Sequence, residues 1–364
     1  MTEHCFNADG FGTAFYAWKA WPVVCQANPH RRFVDSDSSS RGVCVDTAFV
    51  WGLEDRPENL AAKKIALRDG AQIVFCEDGF LKSADTWANG GAPLRYRRGC
   101  SVVFDARRPY FDGTGPSDLE LALNDPGFSL SAAEVAEARR LISRIVGNQL
   151  TKYNHQPLAR PRIGTPGRPK VLVVDQSYGD FSVKLGMADE TTFDEMLRDA
   201  KRDNPDAEIL VKTHPDTMTG ERSGYYSSLH ASDRVIRVTE PVNPYSLLDV
   251  VSKVYVCSTQ LGFEALMADK EVHVYGMPFY AGWGLTVDRL QCPRRTARRS
   301  LEEMFHMVYL VYTKWVDPVT GRRCTIDEAI DRLLGLRREH AVARHFFFVR
   351  QGLRHLFGRR KGAS

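Results

Sequence analysis

At 364 residues, with 43% hydrophobic and 26% charged side chains, the chain has the composition of an ordinary soluble globular protein and is long enough for two cores. Its formal net charge of +4 is too small to argue for a nucleic-acid partner, and no apolar run approaches the length of a membrane span. The eight cysteines form no C-x-x-C pair, several lie inside apolar runs, and no signal peptide opens the chain, so a reduced, cytoplasmic protein is expected.

Residues 1–40 carry a glycine pair, Gly10-Phe11-Gly12, leading into a short aromatic helix with Phe15, Trp18 and Trp21. The pair lacks the third glycine of a dinucleotide fingerprint. Asp35-Ser36-Asp37 has the D-x-D spacing of metal-dependent sugar transferases, but three serines follow it and it reads as a solvated loop. From Val43 onward strands and helices alternate. Val43–Val50 reads as a strand, Pro57–Arg68 as a helix, and Ala71–Cys76 as a strand ending in Glu77-Asp78-Gly79. A carboxylate there can serve as a base on a hydroxyl, or Asp78 can cap a solvated turn. Ser131–Val146 has helical periodicity and a capping box, with Ser131 as N-cap and Glu134 three positions on.

The Pro-, Arg- and Gly-rich stretch Gln156–Lys170 is the best domain boundary. Beyond it, Val171–Val174, Glu208–Val211, Arg234–Val238, Lys253–Cys257 and Val272–Tyr275 read as short strands. Helices are expected at Thr192–Arg202, Pro244–Val251 and Gly262–Ala268. That rhythm implies a parallel sheet with helices on both faces, and ligands bind at the C-terminal edges of such strands. Asp175-Gln176-Ser177-Tyr178-Gly179-Asp180 follows one strand. Its acids could supply a nucleophile, although Asp and Gly are also ordinary loop residues.

Lys212-Thr213-His214-Pro215 ends another strand, and Pro215 keeps His214 extended, so the cation and the imidazole project from the strand end. Ser258-Thr259 ends a third and precedes a helix, an arrangement that serves either an anion or a plain N-cap. Together these ends point to a phosphate-bearing ligand. Histidines and cysteines never cluster with metal-ligand spacing, so no metal is expected. From Leu301 the chain reads as helical to its end. Phe346, Val349, Leu353, Leu356 and Phe357 recur at helical spacing among Arg344, Arg350, Arg354, Arg359, Arg360 and Lys361. Such a helix can lie on an anionic membrane or pack in the core with a basic tip.

Along nearly its whole length the chain resembles the capsule polysaccharide β-Kdo transferases, retaining enzymes that use CMP-Kdo to build a Kdo linker on a lysophospholipid. The resemblance rests on Gly10–Gly12 with Trp18-Lys19, Val50-Trp51-Gly52, Glu77–Ser83, Tyr110-Phe111-Asp112 and Pro116–Glu120. It continues through Gln176 to Asp180, His214-Pro215, Asn243-Pro244 with Ser246–Leu248, Gly262–Leu266, the eleven residues Gly276–Thr286, and Val316-Asp317-Pro318. Family members often carry two such modules in tandem, and Ala84–Gly91 lacks the family's glycine-leucine-glycine.

The resemblance implies an α/β, GT-B-like fold, in which two Rossmann-like domains face a cleft and C-terminal helices pack back across. Residues 1–160 would form the acceptor side, 161–300 the CMP-sugar side, and 301–364 the helices with the basic tail. It further implies Asp180 as nucleophile and Glu77 as general base, with Asp175 and Asp78 as rival assignments. Lys212, His214, Pro215, Ser258, Thr259, Glu264 and Gln176 would hold the nucleotide sugar, and Tyr280 and Trp283 would face the cleft or acceptor. No cofactor is implied beyond the donor CMP-Kdo. The partners implied are a lipid-linked glycan acceptor, the anionic inner face of the cytoplasmic membrane and the capsule assembly machinery. A transferase for another CMP-ulosonate of the sialic-acid type, or a catalytically silent assembly scaffold, are the alternatives.

Overall fold

The computed structural model describes residues 45–86, 92–213, 223–232 and 234–343 with their side chains, and the backbone alone of residues 3–5, 32–34 and 344–358. The glycine pair at Gly10, the D-x-D at Asp35, the His214-Pro215 pair and the side chains of the basic tail lie outside that description.

The first sheet begins with β1 (Glu3–Cys5), β2 (Arg32–Val34), β3 (Val45–Trp51), β4 (Gln72–Asp78) and β5 (Ser101–Asp105). Helix α1 (Pro57–Asp69) carries the chain from β3 to the parallel β4. It starts with proline at its first position and ends on Gly70 in the left-handed conformation, whose N–H donates to the Ala66 carbonyl. Strand β5 then runs antiparallel to β4. Three helices follow, α2 (Leu94–Arg97), α3 (Asp118–Asn124) and α4 (Ala132–Gly147). The last opens with the expected capping box, Ser131 and Glu134 bonding reciprocally.

The second sheet contains β6 (Lys170–Val174), β7 (Glu208–Lys212), β8 (Val235–Val238), β9 (Lys253–Val256), β10 (Glu271–Val274) and β11 (Val287–Asp288). Every neighbouring pair in it is parallel, in the order β11-β10-β9-β6-β7-β8. The chain therefore winds from β6 outward one way and returns to wind the other way from β9. The switch point lies between the C-terminal ends of β6 and β9, where open α/β sheets bind ligands. Helices α5 (Phe181–Lys184), α6 (Glu190–Asp203), α7 (Pro244–Leu248) and α8 (Leu261–Met267) connect these strands. Both faces of the sheet are covered. Val171 and Val173 pack with Phe193 and Met196 on one side, while Leu172 and Val174 enter the main core on the other. Burial on both faces is why these strands read as continuous apolar runs.

The C-terminal part corrects the expectation of an unbroken helical tail. After α9 (Leu301–Phe305) and a π-helical turn at His306–Tyr312 comes β12 (Thr313–Trp315), which pairs antiparallel with β5 and borders the first sheet. Helix α10 (Ile326–Gly358) follows. The main core is continuous through both halves, joining Phe80 and Leu141 to Leu210, Phe263, Phe279, Tyr309 and Leu333. Free Cys76, Cys100 and Cys257 are buried in apolar surroundings, as expected for reduced core thiols.

A candidate active site between the two sheets

A cavity of about 380 Å³ lies between the two sheets. The first sheet contributes the end of β3 (Trp51, Gly52) and the end of β4 (Glu77, Asp78). The second contributes Gln176, Asp180 and Ser182 after β6, and Ser258, Thr259 and Gln260 after β9. Tyr110, Phe111, Lys152, Tyr153 and Phe279 complete much of its wall. A smaller cavity of about 140 Å³ adjoins it, sharing Lys152, Tyr153, Thr259 and Gln260, and is lined further by Asp175, Lys212 and Glu264.

Glu77 and Asp78 are neighbours on β4 with different fates. Lys82 reaches Asp78 through a buried ion pair four residues on. Glu77 has no cation bonded to it among the described residues; its Oε1 accepts the Asp78 N–H at 2.8 Å. Burial pushes the Glu77 carboxyl up, the charge of Asp78 adds to this, and Lys152 and Lys82 oppose it. Gly79 follows because the chain there runs against β5: a Cβ would come within 2.2 Å of Ser101 Oγ.

The acids of the Asp175–Asp180 loop divide similarly. Asp175 is 1% exposed, and its Oδ1 accepts from the Gln176 N–H at 2.9 Å and the Tyr226 N–H at 3.3 Å. It fastens the loop at Gly224–Tyr226 and does not line the larger cavity. Burial pushes its carboxyl up to about 6. Asp180 is partly exposed and N-caps α5, its Oδ1 accepting the Ser182 N–H at 2.8 Å. Its second oxygen has no hydrogen-bond partner among the described residues, and Asp180 belongs to the cavity wall. Gln176 ties the two strand ends together: its Oε1 accepts the Ser258 N–H at 3.0 Å and its Nε2 donates to Ser258 Oγ at 3.1 Å.

Ser258 and Thr259 line the cavity, and the N-cap position of the following helix falls on Gln260, whose side chain makes no cap. Helix α8 starts at Leu261, and Thr259 Oγ1 accepts the Leu261 N–H at 3.4 Å. Glu264, 3% exposed, accepts from Thr151 Oγ1 at 2.5 Å and Gln260 Nε2 at 3.2 Å, so it joins α8 to the segment after α4. Burial raises its carboxyl to about 7. Lys212 is 5% exposed and its Nζ has no hydrogen-bond partner among the described residues. Burial lowers its pKa to about 8, with Glu264 opposing. A buried, unpartnered cation facing a cavity is a site awaiting an acceptor.

Two expected cleft residues are elsewhere. Tyr280 and Trp283 are fully buried core residues; the Tyr280 hydroxyl donates to the Thr259 carbonyl at 2.7 Å and the Trp283 indole to the Phe279 carbonyl at 2.8 Å. A buried aromatic with a polar tip is placed where that tip finds an acceptor, and both find it in the backbone. Phe279, from the same block, takes the wall position and packs on Phe80 and Tyr110 at ring distances of 5.0 and 5.7 Å. Lys152 and Tyr110 are wall residues that sequence reasoning did not single out as functional. Tyr110 stood in a motif, whereas Lys152 carried no local signal. Among the described residues no group of His, Cys, Asp and Glu side chains is arranged to hold a metal ion, and no helix is long and apolar enough to cross a membrane.

A family model described as capsule polysaccharide biosynthesis protein matches residues 158–321. The chain is 36% identical over 305 residues to the capsule polysaccharide modification protein LipA of Neisseria meningitidis serogroup B, spanning 81% of this chain and 42% of that protein. It is 36% identical over 285 residues to the lipopolysaccharide-processing protein LpsZ of Rhizobium meliloti, spanning 78% of this chain and 63% of that one. It thus covers less than two thirds of either relative. Among solved structures, the β-Kdo 2,4 transferase of Thermosulfurimonas dismutans KpsC superposes with a TM-score of 0.78 at 33% identity, covering 91% of this chain and 98% of that one. The β-Kdo 2,7 transferase of the same protein superposes at 0.63 with 25% identity, covering 93% and 100%.

Proposed function

The chain belongs to the capsule polysaccharide Kdo transferase family, and from that membership we propose that it is a retaining, GT-B-type β-Kdo transferase that takes Kdo from CMP-Kdo and delivers it to a lipid-linked or Kdo-terminated glycan. The observation that carries the reading is the pair of carboxylates with no ion pair among the described residues, Glu77 from the first sheet and Asp180 from the second, in the wall of one cavity whose other acids, Glu54 and Asp78, pair with Arg56 and Lys82.

Asp180 attacks the anomeric carbon of the donor. The carbon–oxygen bond to phosphate breaks and CMP departs with the electron pair, leaving a glycosyl ester on Asp180. The charge growing on the leaving phosphate is met by the donors at the switch point, Ser258, Thr259 and Lys212, with His214 two positions after Lys212 in the sequence as a further donor. Glu77 then takes the proton of the acceptor hydroxyl as that oxygen attacks the same carbon, and Asp180 leaves. Two inversions give retention. The raised pKa of Glu77 suits a base that must also hand its proton on. The basic and apolar spacing of residues 344–361 supports docking on the anionic inner face of the cytoplasmic membrane, beside the capsule assembly machinery.

The test is product analysis of the purified chain with CMP-Kdo and a Kdo-primed lipid acceptor. A mass increase of one or more Kdo units, CMP release and a β linkage by NMR are expected. An inverted linkage would remove the covalent mechanism. Transfer from CMP-sialic acid but not CMP-Kdo would replace the donor, and CMP-Kdo left intact in the presence of acceptor would favour a scaffold.

A further inference from the structure

Lys152 stands where the two cavities meet and lines both. Its backbone is clamped from two sides. The carbonyl accepts the Lys82 and Ser83 N–H groups at 3.1 and 3.2 Å, which belong to the segment leaving β4. Its N–H faces the Glu264 carboxylate on α8, in the other half of the molecule, and favours the charge there. The side chain is half-buried. Burial works against its charge, but Tyr110, Tyr153, Asp78 and Glu77 around it hold its pKa well above the usual lysine value.

Of the neighbouring cations, Lys212 lines only the smaller cavity and the two beside the larger one are committed. Lys82 pairs with Asp78, and Arg56 pairs with Glu54. Lys152 makes no ion pair with any described residue, Glu77 and Asp78 acting on it through space, so it is a positive charge at the cavity junction able to take a further anion.

The proposed donor explains such a charge. In an ulosonic acid the carboxylate is attached to the anomeric carbon itself. Bringing Asp180 and Glu77 to that carbon gathers three anions around one atom, and like charges so close need a cation between them. We propose that Lys152 binds the carboxylate of the donor's anomeric carbon and makes the site selective for ulosonates over aldoses. This assignment rests on the CMP-ulosonate reading above.

The test uses the full chain as wild type, Lys152→Met and Lys152→Arg, with CMP-Kdo and the primed acceptor. Donor KM, acceptor KM and kcat are measured, together with the inhibition constant of CMP, which lacks the carboxylate. Lys152→Met is expected to lower kcat/KM for the donor about 10- to 150-fold, the scale of one charge-assisted hydrogen bond. CMP inhibition and acceptor KM should stay within about twofold, and Lys152→Arg should recover part of the loss. CMP inhibition weakening in parallel would assign the ammonium to the phosphate and overturn the proposal. A rise confined to acceptor KM, or no change, would overturn it as well. If Lys152→Met melts below the assay temperature, Lys152→Gln carries the same comparison. A wild-type chain that turns over no CMP-ulosonate would instead defeat the functional reading, and this assignment with it.

Discussion

Replacing Asp175 by asparagine should leave transfer intact and flatten part of the protein's pH-dependence of stability. Burial raises this carboxyl from its ordinary 3.8 to about 6, against the amides of Tyr226 and Gln176 and the charge of Arg237. A raised folded-state pKa means that the native protein binds the proton more tightly than the unfolded chain does. The stabilisation is therefore full below the unfolded pKa and is lost as pH rises through about 6. At pH 8 the gap of about two pH units, at about 1.4 kcal/mol each, is a penalty of about 3 kcal/mol on the fold.

Asparagine keeps the Oδ1 acceptor for Gln176 and Tyr226 and carries no charge. Its amide must face Gly224, which packs close against Oδ2, and that costs about 1–3 kcal/mol at every pH. The slope is thus the clean readout. Relative to wild type, Asp175→Asn should gain about 1.4 kcal/mol between pH 5 and pH 8, measured by urea unfolding at one-unit intervals. A flat or reversed difference would show that the anion is the favoured native form. Loss of transfer in Asp175→Asn, with Asp180→Ala still active, would move the nucleophile to Asp175.

Asp180→Ala should lose transfer by more than about 10⁴-fold while CMP binding by calorimetry holds, since the missing interaction belongs to the transition state. For the wild type, kcat/KM should rise with pH through a pKa above the ordinary 4.5 of a glutamate, and Glu77→Gln should remove that limb and slow transfer about 10²–10⁴-fold. An unaltered pH profile in Glu77→Gln would exclude it as the base. Glu120 is 3% exposed and accepts from Arg294 and Arg295, both at 2.9 Å, and Arg295 also donates to the Pro278 and Ala281 carbonyls. Glu120→Ala should cost about 3–5 kcal/mol by stranding the buried Arg295 charge; a loss under about 1 kcal/mol in denaturant unfolding would contradict this. Gly262→Ala would place a Cβ 2.1 Å from the Tyr280 hydroxyl. It should destabilise by about 1–3 kcal/mol, and Tyr280→Phe in the same chain should restore part of the loss in a thermal melt.

The second sheet was readable because its strands are buried on both faces, so each appears as an uninterrupted apolar run between turns. Lys170–Val174 and Glu208–Lys212 lie within one residue of the expected bounds. The Ser131 cap was readable because both partners sit in one turn. Strand β12 was not, because Thr313-Lys314-Trp315 is three residues flanked by helical periodicity, and only pairing with distant β5 makes it a strand. In the site, the strand-end residues Glu77, Asp180 and Ser258 could be placed from local pattern. Which of Glu77 and Asp78 is committed depends on the buried pairing of Lys82, and the Asp175–Asp180 distinction depends on the loop at Gly224–Tyr226. Tyr280 and Trp283 were placed at the cleft by the family block they stand in, while their burial is set by backbone carbonyls the sequence does not display.

Strand β12 also bears on how the protein is made. The ribosome releases β5 about 200 residues before the strand that borders it, roughly 10–40 s earlier at ordinary rates of synthesis. For that interval the outer edge of β5 has no partner, and an open edge is a template for pairing with other chains. All strands of the second sheet are therefore synthesised while the first is unfinished, and vectorial synthesis leaves Ser101–Asp105 as an open edge until Trp315 has been made.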